Sequence, residues 1–358
     1  MTQSPAFSFQ HSGYSVKQAW QELRNRDPTI RQHDAAAVLG LSEAQLVASG
    51  CGENVVRLSR HWNALIEALS TLGYVAVITR NDHAVHEKLG RYTQIRLAGH
   101  LARVSDGAID LRLFLNHWYF GFAVVEETPA GPLRSLQFFD SDGTAVHKLY
   151  LTDLSVQRAY DLLVNGFRAA DQSPRQNVLV RPMTSVSDRA HGIDVRVLRS
   201  QWHTLRDPQD FQALLKACGL IRVPEWRPDS PYSTRLVAQS TLPALFRTVA
   251  EERLDIMVWV GNAGVIQIHS GPISHLKQSG PWFNVLDEDF SLHLRVEAIA
   301  SAWAVTRMTH EGPITSLELY DSEGRNIALI SGSRQPGQAE DAVWRDLVNA
   351  LPLEEPSP

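Results

Sequence analysis

Residues 131–143, GPLRSLQFFDSDG, occur a second time 181 residues later in the chain, as GPITSLELYDSEG at residues 312–324. Seven of the thirteen positions are identical, and three of the other six exchange one apolar side chain for another. The same ungapped shift pairs Asn81 with Asn262 and Gly90 with Gly271. A repeat of this length predicts two copies of one structural unit, each large enough to have a core of its own.

The repeat divides the sequence into two predicted domains, residues 1–182 and residues 183–358. Residues 16–72 have mostly helical periodicity, with Ser42 as a predicted N-cap, and an alternating pattern typical of strands follows from residue 74. Short strands joined by Gly- and Asp-rich turns predict an antiparallel sheet in each copy. We therefore expect an α+β fold, built twice, each half a large antiparallel sheet with flanking helices.

The sequence places these elements as follows. In the first copy the predicted strands are residues 74–79, 92–97, 109–115, 120–126, 133–140 and 145–151, and a closing helix is predicted at 154–170. In the second copy helices are predicted at 211–218 and 242–253, seven strands between residues 256 and 331, and a closing helix at 339–351.

Composition excludes several classes of protein. The 358 residues are 44% apolar and 20% charged, which is typical of a globular chain, and the net charge of −5 without any Lys/Arg run argues against nucleic-acid binding. The two cysteines, Cys51 and Cys218, exclude a disulfide framework and fit a reducing compartment. Neither a signal peptide nor an apolar run of about 20 residues is present, so no membrane span and a cytoplasmic location are expected.

The strand around Arg112 is the first candidate for a binding surface. Leu111 and Leu113 alternate with Arg112 and Phe114, so an arginine and an aromatic ring share one face of the strand. On an exposed face this pair suits a flat anionic ligand, because the ring stacks and the guanidinium binds a carboxylate. An ordinary solvent-facing row explains the pattern as well. The equivalent row of the second copy carries His293.

His83 and His86 form a second candidate, in a segment that the sequence places beside a turn. Histidines three residues apart can share one face of a helical turn and bind a metal, but no third ligand follows at a fixed spacing. Polar surface histidines in a loop are the alternative. No nucleophile elbow, P-loop or dinucleotide fingerprint occurs in the chain, so the sequence gives no support to a hydrolase or a nucleotide-dependent enzyme.

Several longer motifs, taken together, resemble those of one bacterial family. These are RNDHAVHEKLG (80–90), IDLRLFLNHW (109–118), SLQFFD (135–140), WFNVLDEDFSLHL (282–294) and TSLELY (315–320). The chain resembles, over essentially its whole length, the cytoplasmic haemin-degrading and haem-trafficking proteins of iron uptake. The resemblance implies two similar halves, each a large antiparallel sheet with flanking helices, and haem bound at their junction.

The resemblance also implies roles for individual residues. Arg112 matches the family's distal-side arginine, Phe114 its aromatic neighbour and Arg222 an arginine that pairs with a haem propionate. Arg307 lies about where a basic residue is expected. Arg334 is the part of a Gln-x-Tyr-x-x-Arg motif that this chain retains.

The axial iron ligand is the main departure from the family pattern. The family's histidine lies in an Asp-x-His-x-Phe motif, which here reads DPQDF, so that Gln209 occupies the ligand position. Glutamine is a weak ligand for ferric haem compared with imidazole. His203, His86 and His293 are candidates for a relocated metal ligand, and His86 is favoured because it belongs to a family motif.

Two functions follow from the resemblance. The first is a cytoplasmic haem-binding protein that carries haem or presents it for oxidative degradation, with Arg112 organising water over the open face of the iron. Its partners would be a haem-delivering transporter or a haem-accepting oxygenase, and the missing histidine favours a carrier over an enzyme. The second is a divergent, non-enzymatic paralogue that binds haem weakly, or binds another flat anion or a protein partner.

Overall fold

The computed structural model describes residues 13–175, 178, 232–309, 312–334 and 339–354. The predicted helix at 211–218, together with Gln209, Arg222 and His203, lies outside these residues. In the described residues, strands are numbered in chain order and form two sheets. They are β1 (Val55–Arg57), β2 (Gly73–Arg80), β3 (Ala84–Arg91), β4 (Arg96–Ala98), β5 (Leu101–Ser105), β6 (Asp110–Phe114), β7 (Phe120–Thr128), β8 (Gly131–Phe139), β9 (Ala145–Ser155), β10 (Tyr232–Val237), β11 (Ile256–Gly261), β12 (Val265–Gly271), β13 (Leu276–Ser279), β14 (Trp282–Leu286), β15 (Phe290–Arg295), β16 (Ser301–Thr309), β17 (Gly312–Tyr320) and β18 (Asn326–Gly332).

Seven α-helices flank the sheets in the described part of the chain. They are α1 (Gly13–Arg26), α2 (Gln32–Val38), α3 (Glu43–Ala48), α4 (Trp62–Ala68), α5 (Gln157–Gly166), α6 (Leu242–Glu251) and α7 (Ala342–Asn349). Short 3-10 turns occupy Leu69–Leu72, Leu115–His117, Gln239–Thr241 and Val296–Ala298. Ser42 caps α3 as predicted, in a capping box with Gln45. None of the described helices has the length and the apolarity that a membrane crossing requires.

The two sheets have nine strands each and confirm the predicted fold class. The first sheet has the order β1-β7-β8-β9-β2-β3-β15-β14-β13, and the second has the order β10-β16-β17-β18-β11-β12-β6-β5-β4. Each sheet therefore takes six strands from one copy of the repeat and three from the other. Both sheets contain strands from either side of residue 182. The boundary at this residue therefore stays a prediction of where one copy of the repeat ends and the next begins.

The repeated stretch forms the same hairpin in both copies. β8 and β17 are nine-residue strands, and each has a register shift at its last residue, Phe139 or Tyr320. The Asp140 carboxylate accepts hydrogen bonds from the backbone N–H groups of residues 142 and 144, and the Asp321 carboxylate accepts the equivalent pair. The glycine that ends each stretch has a φ of +78° or +75°, a conformation that glycine adopts readily. The identical positions thus maintain the turn.

Three predicted segments of the first copy differ from the structure. Residues 92–97, predicted as a strand, contain only the first residues of β4. Residues 81–88, interpreted as a segment beside a turn, instead contribute Ala84 to Lys88 to β3. The predicted helix at 154–170 is shorter, because β9 continues to Ser155 and α5 spans Gln157–Gly166. The histidines of the 81–88 segment obscured its alternation, since buried histidine does not count as apolar in a sequence pattern.

The chain divides into two compact units, residues 1–77 with 114–182 and residues 78–113 with 183–358. In the first unit α3 packs on the aromatic side chains of β7, including Phe120 and Phe122. The second unit has a core that joins one face of the second sheet to α6, α7 and the strands β3, β14 and β15. Burial of both α6 and these strands fixes which face of the second sheet belongs to the core.

Asn81 follows β2 and Asn262 follows β11. Their side chains connect the turn between β2 and β3 with the turn between β11 and β12. The Asn81 amide donates to the carbonyl oxygens of Ile327 (2.8 Å) and Gly261 (3.2 Å), and the Asn262 amide donates to the carbonyl of Arg80 (2.9 Å). Each side-chain oxygen accepts two backbone N–H groups of its own turn. The repeat therefore contains a reciprocal pair of asparagines that join the copies.

We expect Asn81→Ala to lower the free energy of unfolding by about 2–4 kcal/mol, because four hydrogen bonds of a half-buried side chain are lost. Urea denaturation followed by circular dichroism measures the change. Asn165→Ala, which removes an exposed amide from α5, is the matched control. Equal stability of the two variants would contradict a joining role for Asn81.

Candidate functional site

The register of the second sheet shows which side chains share a face with Arg112. Residues paired across antiparallel strands project to the same face, and neighbours along a strand alternate. The pairings Trp303–Glu318, Glu318–Leu329, Leu329–Trp259, Trp259–Ile268 and Ile268–Asp110 form one row across six strands. Asp110 and Arg112 lie on the same face because they are two residues apart on β6. We call the surface made by this row and by Arg112 and Ile266 the Arg112 face.

Arg112 is buried, contrary to the expectation of an exposed row. Its exposed fraction is 8%, and that of Phe114 is 2%. Both faces of β6 are covered, because Leu111 and Leu113 are buried as well. The interpretation of Arg112 and Phe114 as an ordinary solvent-facing row is therefore wrong.

The guanidinium of Arg112 is held by its own strand. It donates to both carboxylate oxygens of Asp110, one of them through Nη2 at 3.3 Å, and to the carbonyl oxygen of Leu111 at 3.3 Å. An arginine offers five N–H donors in a planar fork, so these contacts leave donor capacity for a further anionic group. Asp110 thus positions a buried cation on a mainly apolar face.

Glu318 adds a carboxylate to the Arg112 face that the sequence analysis did not single out. It is fully buried, and it accepts hydrogen bonds from the hydroxyls of Ser316 (3.2 Å) and Tyr320 (2.6 Å). The equivalent residue of the first copy is Gln137, whose amide donates to Ser135 at 3.0 Å. The sequence could have identified Glu318, because the repeated stretch has a carboxylate at this position in one copy and an amide in the other.

His86 lies on a different surface from Arg112. It is fully buried in β3 and contacts the ring of Phe290, with the ring centroids 5.0 Å apart. Phe290 stacks in turn on His269, at 3.8 Å and an interplanar angle of 5°. His269 is next to Ile268 in β12, so its side chain projects away from the Arg112 face and into the core of the second unit. The prediction that His86 lies in a loop is wrong.

Burial keeps the histidines of this core neutral. Within the described part of the chain neither ring nitrogen of His86 has a hydrogen-bond partner. Burial, together with the nearby His269 and Lys88, holds the pKa of His86 well below its usual 6.5. Burial next to Lys88 also lowers the pKa of His269 to about 4. The Lys88 ammonium lies 3.3 Å from His269 Nδ1 and 2.9 Å from Asp289.

His293 lies on the opposite side of β15 from the core. Leu292 and Leu294 point into the core, so His293 projects to the other face of the first sheet. This agrees with the alternation of the strand in the sequence. Its Nδ1 is 2.7 Å from Asn284 Oδ1, and its Nε2 is 3.9 Å from Glu87. The structure therefore does not bring His86, His293 and Arg112 together. The described residues contain no cluster of three His, Cys, Asp or Glu side chains suited to a metal ion.

Two further basic candidates, Arg307 and Arg334, lie in or just after strands of the second sheet. Arg307 is a residue of β16, paired with Ile314 of β17, and Arg334 comes two residues after the end of β18. The positive charge of Arg334 acts on Glu340, which is buried and accepts a hydrogen bond from the backbone N–H of Thr315 at 2.8 Å. The hydrogen bond and the charge of Arg334 both lower the pKa of Glu340, but burial outweighs them and raises this pKa to about 7.

Comparisons with known proteins agree with this architecture. The model of the haemin-degrading HemS/ChuX domain matches residues 40–167 and again residues 227–351. The hemin transport protein HmuS of Yersinia pestis is 34% identical, covering 94% of this chain and 97% of its own. The structure of holo-PhuS, a heme-binding protein from Pseudomonas aeruginosa, is 40% identical with a TM-score of 0.84, covering 96% and 100%. ChuS, an E. coli heme oxygenase, is 30% identical with a TM-score of 0.76, covering 94% and 99%.

We expect His86→Leu to reduce the loss of stability on acidification. Below about pH 6.5 the unfolded chain binds a proton at His86 that the folded protein does not, so wild-type stability falls as the pH decreases. The Tm difference between pH 7.5 and pH 5 should be smaller in His86→Leu than in the wild type. Substitution of the exposed His100 by Leu is the control, and an unchanged difference in His86→Leu would contradict the assignment.

Glu340→Gln should have the opposite pH dependence. Because its pKa is raised when the protein folds, the folded state holds an extra proton between about pH 4.5 and 7, and this stabilisation is lost as the pH rises. The variant should unfold at a higher temperature than the wild type at pH 8, and the difference should disappear at pH 5. A variant less stable at pH 8 would show that the ionised carboxylate is favourable.

Proposed function

The chain belongs to the family of proteins with the haemin-degrading HemS/ChuX domain, and on this premise we propose that it binds haem in bacterial haem and iron uptake, carrying it or presenting it for oxidative degradation. The observation that carries the proposal is the Arg112 face, a mainly apolar sheet surface with a buried cation at one side. Haem is a flat apolar macrocycle with two carboxylates. A surface of this kind matches both properties.

The residues of the Arg112 face would have separate tasks. Ile266, Ile268 and Leu329 supply apolar contact for a planar ring and keep water from it. Arg112 would donate to an anionic oxygen of the ligand through the N–H groups that Asp110 and Leu111 do not use. Asp110 keeps the guanidinium in place before the ligand arrives, which reduces the entropy lost on binding.

Haem would supply an iron centre able to react with oxygen. The protein would supply the side chain that ligates this iron. We infer that neither His86 nor His293 ligates iron held on the Arg112 face. His86 is buried on the core side of the second unit, and His293 projects from β15 of the first sheet. His203 and the ligand position at Gln209 lie outside the described residues and remain candidates from the sequence.

A cytoplasmic location and exchange of haem with a delivering transporter or an accepting oxygenase are further parts of the proposal. Support comes from the kinship with hemin transport proteins and from the two cysteines, which suit a reducing compartment. The alternative ligand, another flat anion, would use the same face. The hemin titration described next distinguishes between the two ligands.

We expect hemin to give a saturable shift of its Soret band when titrated with the wild-type protein. Arg112→Ala should weaken binding about 10- to 100-fold, as the loss of a hydrogen bond to a charged group predicts. Arg247→Ala, which removes one exposed positive charge from α6, is the matched control and should bind as the wild type does. A wild type without any saturable shift would refute haem binding.

Variants of the ligand candidates test the assignment of the iron. His86→Ala should leave the Soret maximum of the complex in place, because His86 is on the core side of the fold. Gln209→His should tighten hemin binding and give the absorption and resonance Raman signature of an imidazole ligand. Loss of that signature from a folded His86→Ala protein would show that His86 does bind the iron.

A further inference from the structure

Trp259 has a buried hydrogen-bond donor without a partner among the residues that the structure describes. Its exposed fraction is 5%, and its indole Nε1 bonds to none of them. The indoles of Trp62, Trp303 and Trp344, by contrast, donate to Trp118 O (2.8 Å), Ser301 Oγ (3.2 Å) and Thr315 O (2.8 Å). Leaving such a group buried and unpaired costs about 1–3 kcal/mol, so each instance requires an explanation.

The side chains directly across the sheet from Trp259 offer its indole no acceptor. They are Leu329 and Ile268, both apolar. Beyond Ile268 in the row is Asp110, whose carboxylate is already bound by Arg112. Beyond Leu329 is Glu318, whose carboxylate accepts hydrogen bonds from Ser316 and Tyr320.

Trp259 and Arg112 are spaced to contact one flat molecule. They are two strands apart and offset by two residues along the strands, since Trp259 is aligned with Asp110 through Ile268. With about 4.8 Å between strands and about 3.4 Å per residue, their Cα atoms are roughly 12 Å apart. Side chains at this separation can reach different edges of a single macrocycle.

We propose that the indole N–H of Trp259 donates a hydrogen bond to a carboxylate of the porphyrin bound on the Arg112 face, and so selects ligands with an acidic substituent. This inference rests on the proposed function. Indole is a donor only, so its partner must be an acceptor, and a hydrogen bond to an ionised acceptor is shorter and stronger than one to a neutral oxygen.

The test compares protoporphyrin IX with its dimethyl ester, neither of which contains iron, on wild type and Trp259→Phe. Phenylalanine keeps an aromatic side chain but lacks the N–H donor. We expect Trp259→Phe to weaken binding of the diacid about 5- to 20-fold and binding of the ester about twofold or less. Trp62→Phe removes an indole that lies outside the Arg112 face and already donates to Trp118 O, and should change the preference for diacid over ester little.

Equal losses for the diacid and the ester would overturn the proposal, because they would show that Trp259 contributes only packing. Unchanged binding of both would overturn it as well. If the wild type binds neither porphyrin but gives a saturable hemin shift, the inference is overturned while the proposed function stands. If hemin gives no shift either, the proposed function fails and the inference with it.

A second measurement follows ligand binding in the wild-type protein, and a variant serves only to assign one signal. In protein labelled with ¹⁵N-tryptophan, the indole proton of Trp259 should shift downfield when protoporphyrin IX is added and much less with the ester. The signal is assigned by its absence in Trp259→Phe or in a Trp259→Tyr protein. A Trp259 resonance that does not respond to the diacid would contradict the proposed bond.

Discussion

The reciprocal amide contacts of Asn81 and Asn262 are the constraint on which the arrangement of the second unit depends. Each asparagine closes its own turn with its side-chain oxygen, and with its side-chain nitrogen reaches a backbone carbonyl belonging to the other copy of the repeat. A single amide thus fixes a local turn and a long-range contact together. Each copy of the repeat supplies one asparagine of the pair. The contact between the copies is therefore kept as long as both copies keep this residue.

The composite sheets follow from this joint. β4, β5 and β6 of the first copy extend the second sheet, and β13, β14 and β15 of the second copy extend the first. As a result Arg112, which belongs to the first copy in sequence, shares a sheet face with Trp259 and Glu318 of the second. The candidate site therefore needs both copies, and a single copy of the repeat would lack either the cation or the row beside it.

The sequence was sufficient for those features that short-range physics determines. The duplicated hairpin with its aspartate and glycine, the Ser42 cap and most of the strands could be predicted, because turn geometry and alternation are local. It was insufficient for burial, since alternation separates the two faces of β6 without showing that both are covered. For the same reason the histidines of β3 resembled a polar loop, although His86 is enclosed by a core that residues more than 180 positions away complete.

Differences between equivalent residues show why one sheet, rather than both, would bind an anionic ligand. With the 181-residue shift, Arg112 corresponds to His293 and Trp259 to Ile78. The asparagines of the joint and the Asp and Gly that close the turn are identical between the copies, whereas the positive charge of Arg112 and the indole donor of Trp259 are not shared. An arginine remains charged at every physiological pH, and an indole donates where isoleucine has no polar atom. The two scaffolds are thus alike, and the capacity to hold a carboxylate is concentrated on the Arg112 face.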